Sequence, residues 1–162
     1  MKATKKNINY GLIGYGYWGK IIAKNILEDS KSELFLIVDN DHSNLKNAKQ
    51  NSIATQYLEN FNLLEDNLIE EIDIFVISTP PHNHYELIVN LAKYGKTLFV
   101  TKPLCTSEED LASIDRLRIK HSLDIFIDET FIYSNNVEKL KEIIKADSFG
   151  ELLYVSSDRS NY

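Results

Sequence analysis

Three glycines at fixed spacing, Gly14, Gly16 and Gly19, constrain the fold more than any other feature of the sequence. They follow the apolar run Ile8–Ile13, which is typical of a short buried strand, and they open residues 18–27, where apolar side chains recur at helical spacing. Such a turn is typical of dinucleotide-binding folds. Gly14 would permit the tight turn, Gly16 would let the backbone approach a pyrophosphate, and Gly19 would let the helix pack close to the sheet. Glycines also mark ordinary loops, so this turn alone indicates a function only weakly.

Strand-like and helix-like segments alternate along most of the chain. The apolar runs are continuous rather than alternating, which favours strands covered on both faces, as in a parallel sheet. Further strands are predicted at residues 34–38, 54–57, 74–77, 97–100 and 123–127, and helices at 44–51, 63–67, 84–94 and 107–121. This order predicts an α/β fold with a doubly wound parallel sheet, a Rossmann fold, over residues 1–130.

The alternation stops near residue 130. Residues 137–145 predict one more helix and residues 152–156 a final strand.

Composition narrows the class of protein. The chain has 162 residues, one cysteine and a formal net charge of −6. It cannot form an intramolecular disulfide, and it lacks the basic face of a nucleic-acid binder. No apolar run approaches the roughly 18 residues of a membrane span, and no export signal follows the basic start, so we expect a cytoplasmic protein. His82 and His84 lie two apart without a clear third ligand, so no metal site is expected.

Asp39 ends the second predicted strand, 20 residues after Gly19. A carboxylate there would accept hydrogen bonds from an adenosine ribose, and it would repel the additional phosphate of NADP. No arginine follows nearby, so NAD is favoured and NADP is disfavoured. The alternative is a turn residue that faces solvent beside Asn40 and Asp41.

Two further segments leave the carboxyl ends of predicted strands, the edge where ligands bind in such sheets. The first is Ser78-Thr79-Pro80-Pro81 and the second is Thr101-Lys102-Pro103. A lysine at this edge could hydrogen-bond a substrate hydroxyl and transfer a proton. The alternatives are a rigid proline loop and an ordinary surface lysine.

These elements, in this order, resemble the Gfo/Idh/MocA oxidoreductase family. The glycine turn with Trp18 resembles its G-Y-G-Y-W-G variant, and the Ser78 segment with His84 resembles its A-T-P-P-x-x-H segment. Gly95-Lys96 and the segment around Lys102 resemble its G-K-H-V-x-x-E-K-P-L. Further matches lie at residues 130–133, 149–152 and 158–161, so the resemblance implies that residues 131–162 are only the start of a second α+β domain. The strand predicted at residues 152–156 would then lack most of its sheet. Its open edge would pair with another copy of the chain, in a homo-oligomer, or leave the segment mobile.

The resemblance implies a cofactor site. The backbone of Gly16, Tyr17 and Trp18 would hold the pyrophosphate, and Asp39 the adenosine ribose. Lys102 would lie at the nicotinamide and the substrate, as the catalytic residue, and the Lys102–Pro103 bond is expected to be cis. The cofactor cleft would also involve Ser78, Thr79, Pro80, His84 and Thr101.

Two departures from the family pattern bear on activity. Thr101 stands where the family has the glutamate of E-K-P, and the sequence ends before the family's Asp-x-x-x-His motif. The resemblance implies an NAD-dependent oxidoreductase that transfers hydride to or from a carbinol carbon of a sugar, sugar nucleotide or polyol, present here as its cofactor-binding part. Whether the chain is itself an enzyme stays open. The alternatives are a catalytically silent NAD-binding module and a Rossmann-like methyltransferase that uses S-adenosylmethionine.

Overall fold

The strands of this chain form one parallel sheet, described by a computed structural model that covers residues 7–146 and 150–158. The sheet order is β3-β2-β1-β4-β5-β6, and every neighbouring pair is parallel. The strands are β1 (Ile8–Ile13), β2 (Ser32–Val38), β3 (Gln56–Leu58), β4 (Ile74–Ile77), β5 (Thr97–Thr101) and β6 (Ile125–Asp128). The predicted doubly wound α/β fold is thereby confirmed.

Helices connect the strands. They are α1 (Tyr17–Glu28), α2 (His42–Gln50), α3 (Asp66–Glu70), α4 (His84–Ala92), α5 (Glu108–His121) and α6 (Asn135–Lys145), with short 3₁₀ turns at Phe61–Leu63, Pro81–Asn83 and Thr130–Tyr133. After β3 the chain crosses back to place β4 beside β1. The strand order reverses at this point, and a crevice opens outside the carboxyl ends of β1 and β4.

Apolar side chains cover both faces of the sheet, which explains the continuous apolar runs. On one face, Phe75 and Val100 belong to a cluster with Ile88 and Leu91 of α4. On the other face, the cluster joins side chains of β1, β2 and β4 to α1 and α2: Leu12, Ile37, Val76, Ala23, Ile26, Leu45 and Ala48. Within residues 7–146 and 150–158, no helix is long and apolar enough to cross a membrane.

The chain divides into two compact units, Met1–Asp128 and Glu129–Tyr162. In the second unit, Ser134 caps α6 by accepting a hydrogen bond from the backbone N–H of Val137. The apolar side chains of α6 are half-exposed, Leu140, Ile143 and Ile144 among them.

The predicted strand at residues 152–156 is wrong. The described residues 150–158 contain no strand, and the side chains of Leu153 and Tyr154 are exposed. An apolar run becomes a strand only where a neighbouring strand accepts its backbone hydrogen bonds, and none of the described residues does so here. The expected pairing between copies required this strand, which is absent from the described residues 150–158. The matches at residues 149 and 159–161 lie outside the described residues.

Candidate functional site

The glycine turn is locked against the loop that follows β4. Gly14 adopts a positive φ of 95°, and its N–H donates to the carbonyl of Val38 at 2.8 Å. A Cβ on Gly14 would overlap the Ser78 carbonyl, and a Cβ on Gly19 would overlap the carbonyl oxygen of Gly14. Neither position accommodates a side chain, because the contacts are with backbone.

Gly16 differs from both, because a Cβ built on it would meet no atom within 4 Å. Gly16 is the N-cap of α1, and no side chain in the described residues caps this helix end. The first turn also carries no acidic side chain. The N–H groups at a helix start carry a partial positive charge and bind anions, so the space beside Gly16 fits a phosphate group.

Tyr17 and Trp18 form the exposed start of α1. Their rings lie 5.8 Å apart between centroids, and 80% and 42% of their surfaces are exposed. The backbone of these residues is therefore part of the helix start, whereas their side chains do not line the cleft described below.

Asp39 is buried at the end of β2, and three donors hold its carboxylate. Oδ2 accepts from the backbone N–H of Tyr15 at 2.6 Å and from the Asn44 amide at 3.4 Å. Oδ1 accepts from the backbone N–H of Asp41 at 2.8 Å. A carboxylate has about four acceptor positions, so one stays open to a hydroxyl group.

Two buried hydroxyl groups lie on the loop after β4. Ser78 Oγ and Thr79 Oγ1 have no hydrogen-bond partner among the described residues. The backbone N–H of Ser78 donates to the carbonyl of Ile13 at 2.8 Å, which fixes the loop beside β1. Buried polar groups are almost always paired, so the two hydroxyls make this loop an unusual feature of the fold.

A cleft of about 540 Å³ opens at this edge of the sheet. Such a volume is typical of small-molecule and cofactor sites. Of the predicted residues, the cleft brings together Gly14, Gly16, Asp39, Ser78, Thr79 and Pro80. The cleft is also lined by residues of α4 and of the segment after β3, which no motif indicated as site residues: Glu59, Asn60, Phe61, Asn62, Glu86, Leu87 and Asn90.

The cleft is lined by acidic side chains without basic partners. Asp39, Asp41, Glu59 and Glu86 line it, and none of its lining residues, all of which the structure describes, is a lysine or arginine. A hydrogen bond from the Ser43 hydroxyl lowers the pKa of Asp41, which favours its carboxylate form. The walls near Asp39 therefore suit hydrogen-bond donors such as hydroxyl groups.

His84 does not line the cleft, contrary to what the resemblance implied. Its side chain is fully buried, and its ring nitrogens lie 2.9 Å from the carbonyl oxygens of Pro103 and Thr79. Thr101 is also buried, and its hydroxyl donates to the carbonyl of Ile77 at 3.2 Å. Both side chains contact backbone carbonyl oxygens of neighbouring segments and do not line the cleft.

Lys102 lies next to this edge, at the end of β5, and is exposed. Its bond to Pro103 is cis, as the resemblance implied. Lys102 is not among the residues that line the cleft. Within the part of the chain that the structure describes, no group of three metal-ligating side chains comes together.

Comparison with known proteins adds a family to this geometry. The oxidoreductase family with an NAD-binding Rossmann fold, Gfo/Idh/MocA, matches residues 8–129. A 2,7-anhydro-N-acetylneuraminate hydratase of Escherichia coli is 24% identical over 96% of this chain and 40% of its own length. A myo-inositol 2-dehydrogenase of Thermotoga maritima is 28% identical over 87% of this chain and 42% of its own length.

The fold also matches solved structures. The structure of a scyllo-inositol dehydrogenase from Lactobacillus casei, with bound NAD(H) and scyllo-inositol, superposes with a TM-score of 0.81 at 23% identity, over 90% of this chain and 43% of that protein. This chain spans about two fifths of the length of the curated relatives it matches. The family match covers the glycine turn, Asp39, the Ser78 loop and Lys102 together. The chain therefore belongs to the Gfo/Idh/MocA oxidoreductase family.

Proposed function

We propose that this chain is the cofactor-binding part of an NAD-dependent oxidoreductase that acts on a carbinol carbon of a sugar, sugar nucleotide or polyol. The observation that carries the proposal is the cleft at the β1–β4 edge. There an uncapped helix start, an open Gly16 and two unpartnered hydroxyls converge. Together these features offer N–H and O–H groups to a dinucleotide, in a cleft of suitable volume.

Each part of the cleft would hold one part of the cofactor. The backbone around Gly16, Tyr17 and Trp18 would hold the pyrophosphate, and Asp39 would hold the adenosine ribose. Ser78 and Thr79 would donate their hydroxyls beyond the pyrophosphate. Asp39 and its acidic neighbours would repel the additional phosphate of NADP, so we propose NAD as the cofactor.

Lys102 would act at the reacting end of the cofactor. The bound NAD would supply the hydride acceptor or donor. Lys102 would hydrogen-bond the substrate oxygen and orient the carbinol carbon. As a neutral amine it would take the proton of the substrate hydroxyl during oxidation, and as an ammonium it would return that proton during reduction. The chain would be expected in the cytoplasm, in keeping with its single cysteine.

The substrate class follows from the chemistry of the relatives rather than from the cleft. The inositol dehydrogenases that match this chain act on polyols by name, whereas another relative is named a hydratase. From these relatives we propose a polyhydroxy compound as the substrate class of this chain. The specific compound would be recognised mainly by residues beyond this cleft.

Binding and turnover test the proposal separately. Calorimetry should show NAD binding more tightly than NADP, and Asp39→Ser should narrow that difference. In an assay that follows NADH absorbance over a panel of polyols and sugar nucleotides, Lys102→Ala should lower turnover by roughly 100-fold. Lys120→Ala, a matched change at an exposed lysine of α5, should leave turnover unchanged. Equal turnover in Lys102→Ala and wild type would remove Lys102 from the reaction.

A second candidate is a catalytically silent NAD-binding module. The observation in its favour is that Lys102, the proposed catalytic residue, does not line the cleft. This candidate shares the cleft but not the chemistry. NAD binding without turnover on any substrate of the panel would support it, and clear turnover would eliminate it.

A further inference from the structure

The loop after β4 and the turn after β5 are joined through one buried side chain. His84 begins α4, and its ring is fully enclosed. Nε2 lies 2.9 Å from the carbonyl oxygen of Thr79, and Nδ1 lies 2.9 Å from the carbonyl oxygen of Pro103. The ring therefore spans two segments that follow neighbouring strands of the sheet.

The polarity of this side chain requires an explanation, because burying an imidazole costs free energy unless its nitrogens are paired. Both partners are carbonyl oxygens, which can only accept hydrogen bonds. A neutral ring donates to one of the two carbonyls, and a ring that carries both protons donates to both. A phenyl ring would fill similar space without these bonds, so the bonds are what distinguishes histidine at this position.

The two anchored carbonyls belong to functional segments. Thr79 lines the cleft and carries one of the unpartnered hydroxyls. Pro103 directly follows Lys102, and proline has no N–H with which to anchor its own backbone. The carbonyl of Pro103 is thus the point at which α4 holds the turn that carries Lys102.

We propose that His84 is a positioning residue that sets the Lys102 turn against the cofactor loop. The two ring nitrogens, each 2.9 Å from one carbonyl oxygen, hold the Thr79 loop and the Lys102–Pro103 turn in one arrangement, although His84 contacts neither cofactor nor substrate. The structural part of this proposal rests on these two contacts alone. Its meaning for hydride transfer rests on the function proposed above for Lys102.

The contacts of His84 with the carbonyls of Thr79 and Pro103 are called the bridge below. Three substitutions separate these two contacts. His84→Phe keeps a ring and loses both nitrogen–carbonyl contacts. In His84→Gln the amide nitrogen replaces Nε2, so the contact with Thr79 is kept. In His84→Asn the amide nitrogen replaces Nδ1, so the contact with Pro103 is kept. Asn9→Ala is the matched control. Asn9 is a buried side-chain amide that donates to the carbonyl of Glu71, at the amino ends of the strands and away from the cleft.

Backbone hydrogen exchange by mass spectrometry reads the bridge directly. We expect His84→Phe to speed exchange about tenfold in residues 78–83 and in residues 102–105 together, as for the loss of a buried hydrogen bond. His84→Gln should keep wild-type exchange in residues 78–83 only, and His84→Asn should keep it in residues 102–105 only. Asn9→Ala should lower stability without selectively changing either segment. NAD affinity should fall about tenfold in His84→Phe, and turnover should fall further than affinity.

Wild-type exchange in both segments of a folded His84→Phe variant would overturn the proposal. If His84→Phe does not fold, the Asn and Gln variants decide, because equal exchange of both segments in the two variants contradicts a two-ended bridge. A wild-type chain that binds no NAD would refute the proposed function, yet the exchange result would still decide whether His84 is the bridge.

Discussion

Gly16→Ala should separate cofactor binding from folding. The N-cap backbone at Gly16 is extended, with φ −74° and ψ −155°, so an alanine is not forced into the left-handed region. An added Cβ meets no protein atom within 4 Å. It would instead occupy the space beside the start of α1, where we place the pyrophosphate. The substitution therefore changes the ligand space and leaves the protein contacts as they are.

The expected change in stability is small. An alanine caps a helix less well than a glycine, which costs up to about 1 kcal/mol. The lower backbone entropy of the unfolded chain returns about 0.4–1 kcal/mol. The two effects nearly cancel, so the free energy of unfolding should stay within about 1 kcal/mol of wild type, which is about 2–4 °C in melting temperature.

The expected change in affinity is large. A hydrogen bond between a backbone N–H and a charged phosphate oxygen contributes about 1.5–3 kcal/mol. A methyl group at Gly16 displaces the phosphate from one or two such bonds. A loss of about 2.7 kcal/mol corresponds to roughly 100-fold weaker binding of NAD.

Gly19→Ala supplies the opposite control. Its Cβ would overlap the carbonyl oxygen of Gly14, and a backbone atom cannot move aside cheaply. Overpacking of this kind costs about 1–3 kcal/mol, so Gly19→Ala should unfold at a lower urea concentration. Urea denaturation and calorimetry with NAD measure both quantities. If Gly16→Ala binds NAD with wild-type affinity, the pyrophosphate does not lie at this turn.

Three further predictions concern stability. A hydrogen bond from the Ser32 hydroxyl lowers the pKa of Asp29 below its ordinary value of 3.8. The folded state therefore favours the carboxylate, and this stabilisation is present above pH 3.8 and lost as the pH falls through the lower pKa of the folded state. The difference in the free energy of unfolding between wild type and Asp29→Ala, measured by urea denaturation, should shrink on acidification. A difference that stays constant with pH would contradict this reasoning. Ser107 caps α5 by accepting from the N–H of Asp110 at 3.1 Å, so Ser107→Ala should cost about 1 kcal/mol, and an unchanged urea midpoint would argue against the cap. Phe75 is fully buried, so Phe75→Ala should cost about 3–5 kcal/mol, and a loss below about 1 kcal/mol would contradict the described core.

The sheet was predictable because burial on both faces leaves a direct mark on the sequence. In β4, Phe75 packs in one apolar cluster and Val76 in the other, so the strand is apolar at successive positions. Residues 152–156 carry a similar apolar pattern without forming a strand. A strand also depends on a neighbour that accepts its hydrogen bonds, and a local pattern holds no information about that neighbour.

The site was predictable where a backbone motif or a fixed offset defines it. Gly14, Gly16 and Asp39 follow from the glycine spacing and from the offset to the end of β2, and all three line the cleft. Phe61 and Asn90 line it as well, but they come from the segment after β3 and from the interior of α4. Their proximity depends on the strand order, which places those elements around one edge.

The direction of a side chain was harder to predict than its position. The spacing after Thr79 correctly places His84 at the start of α4. The ring is nevertheless fully buried, and its nitrogens contact the carbonyl oxygens of Thr79 and Pro103. Sequence spacing specifies which residues follow a strand, whereas packing decides which of them face a ligand.

The most direct test of this account is a titration of the isotope-labelled chain with NAD, followed by backbone NMR. If NAD binds in the β1–β4 cleft, saturable shifts are concentrated at residues 14–19, at Asp39 and at residues 78–80, and the signals of α5 and of the amino ends of the strands stay unchanged. Saturable shifts at a different surface, or no binding at millimolar NAD, would contradict the assignment of the β1–β4 cleft as the cofactor site.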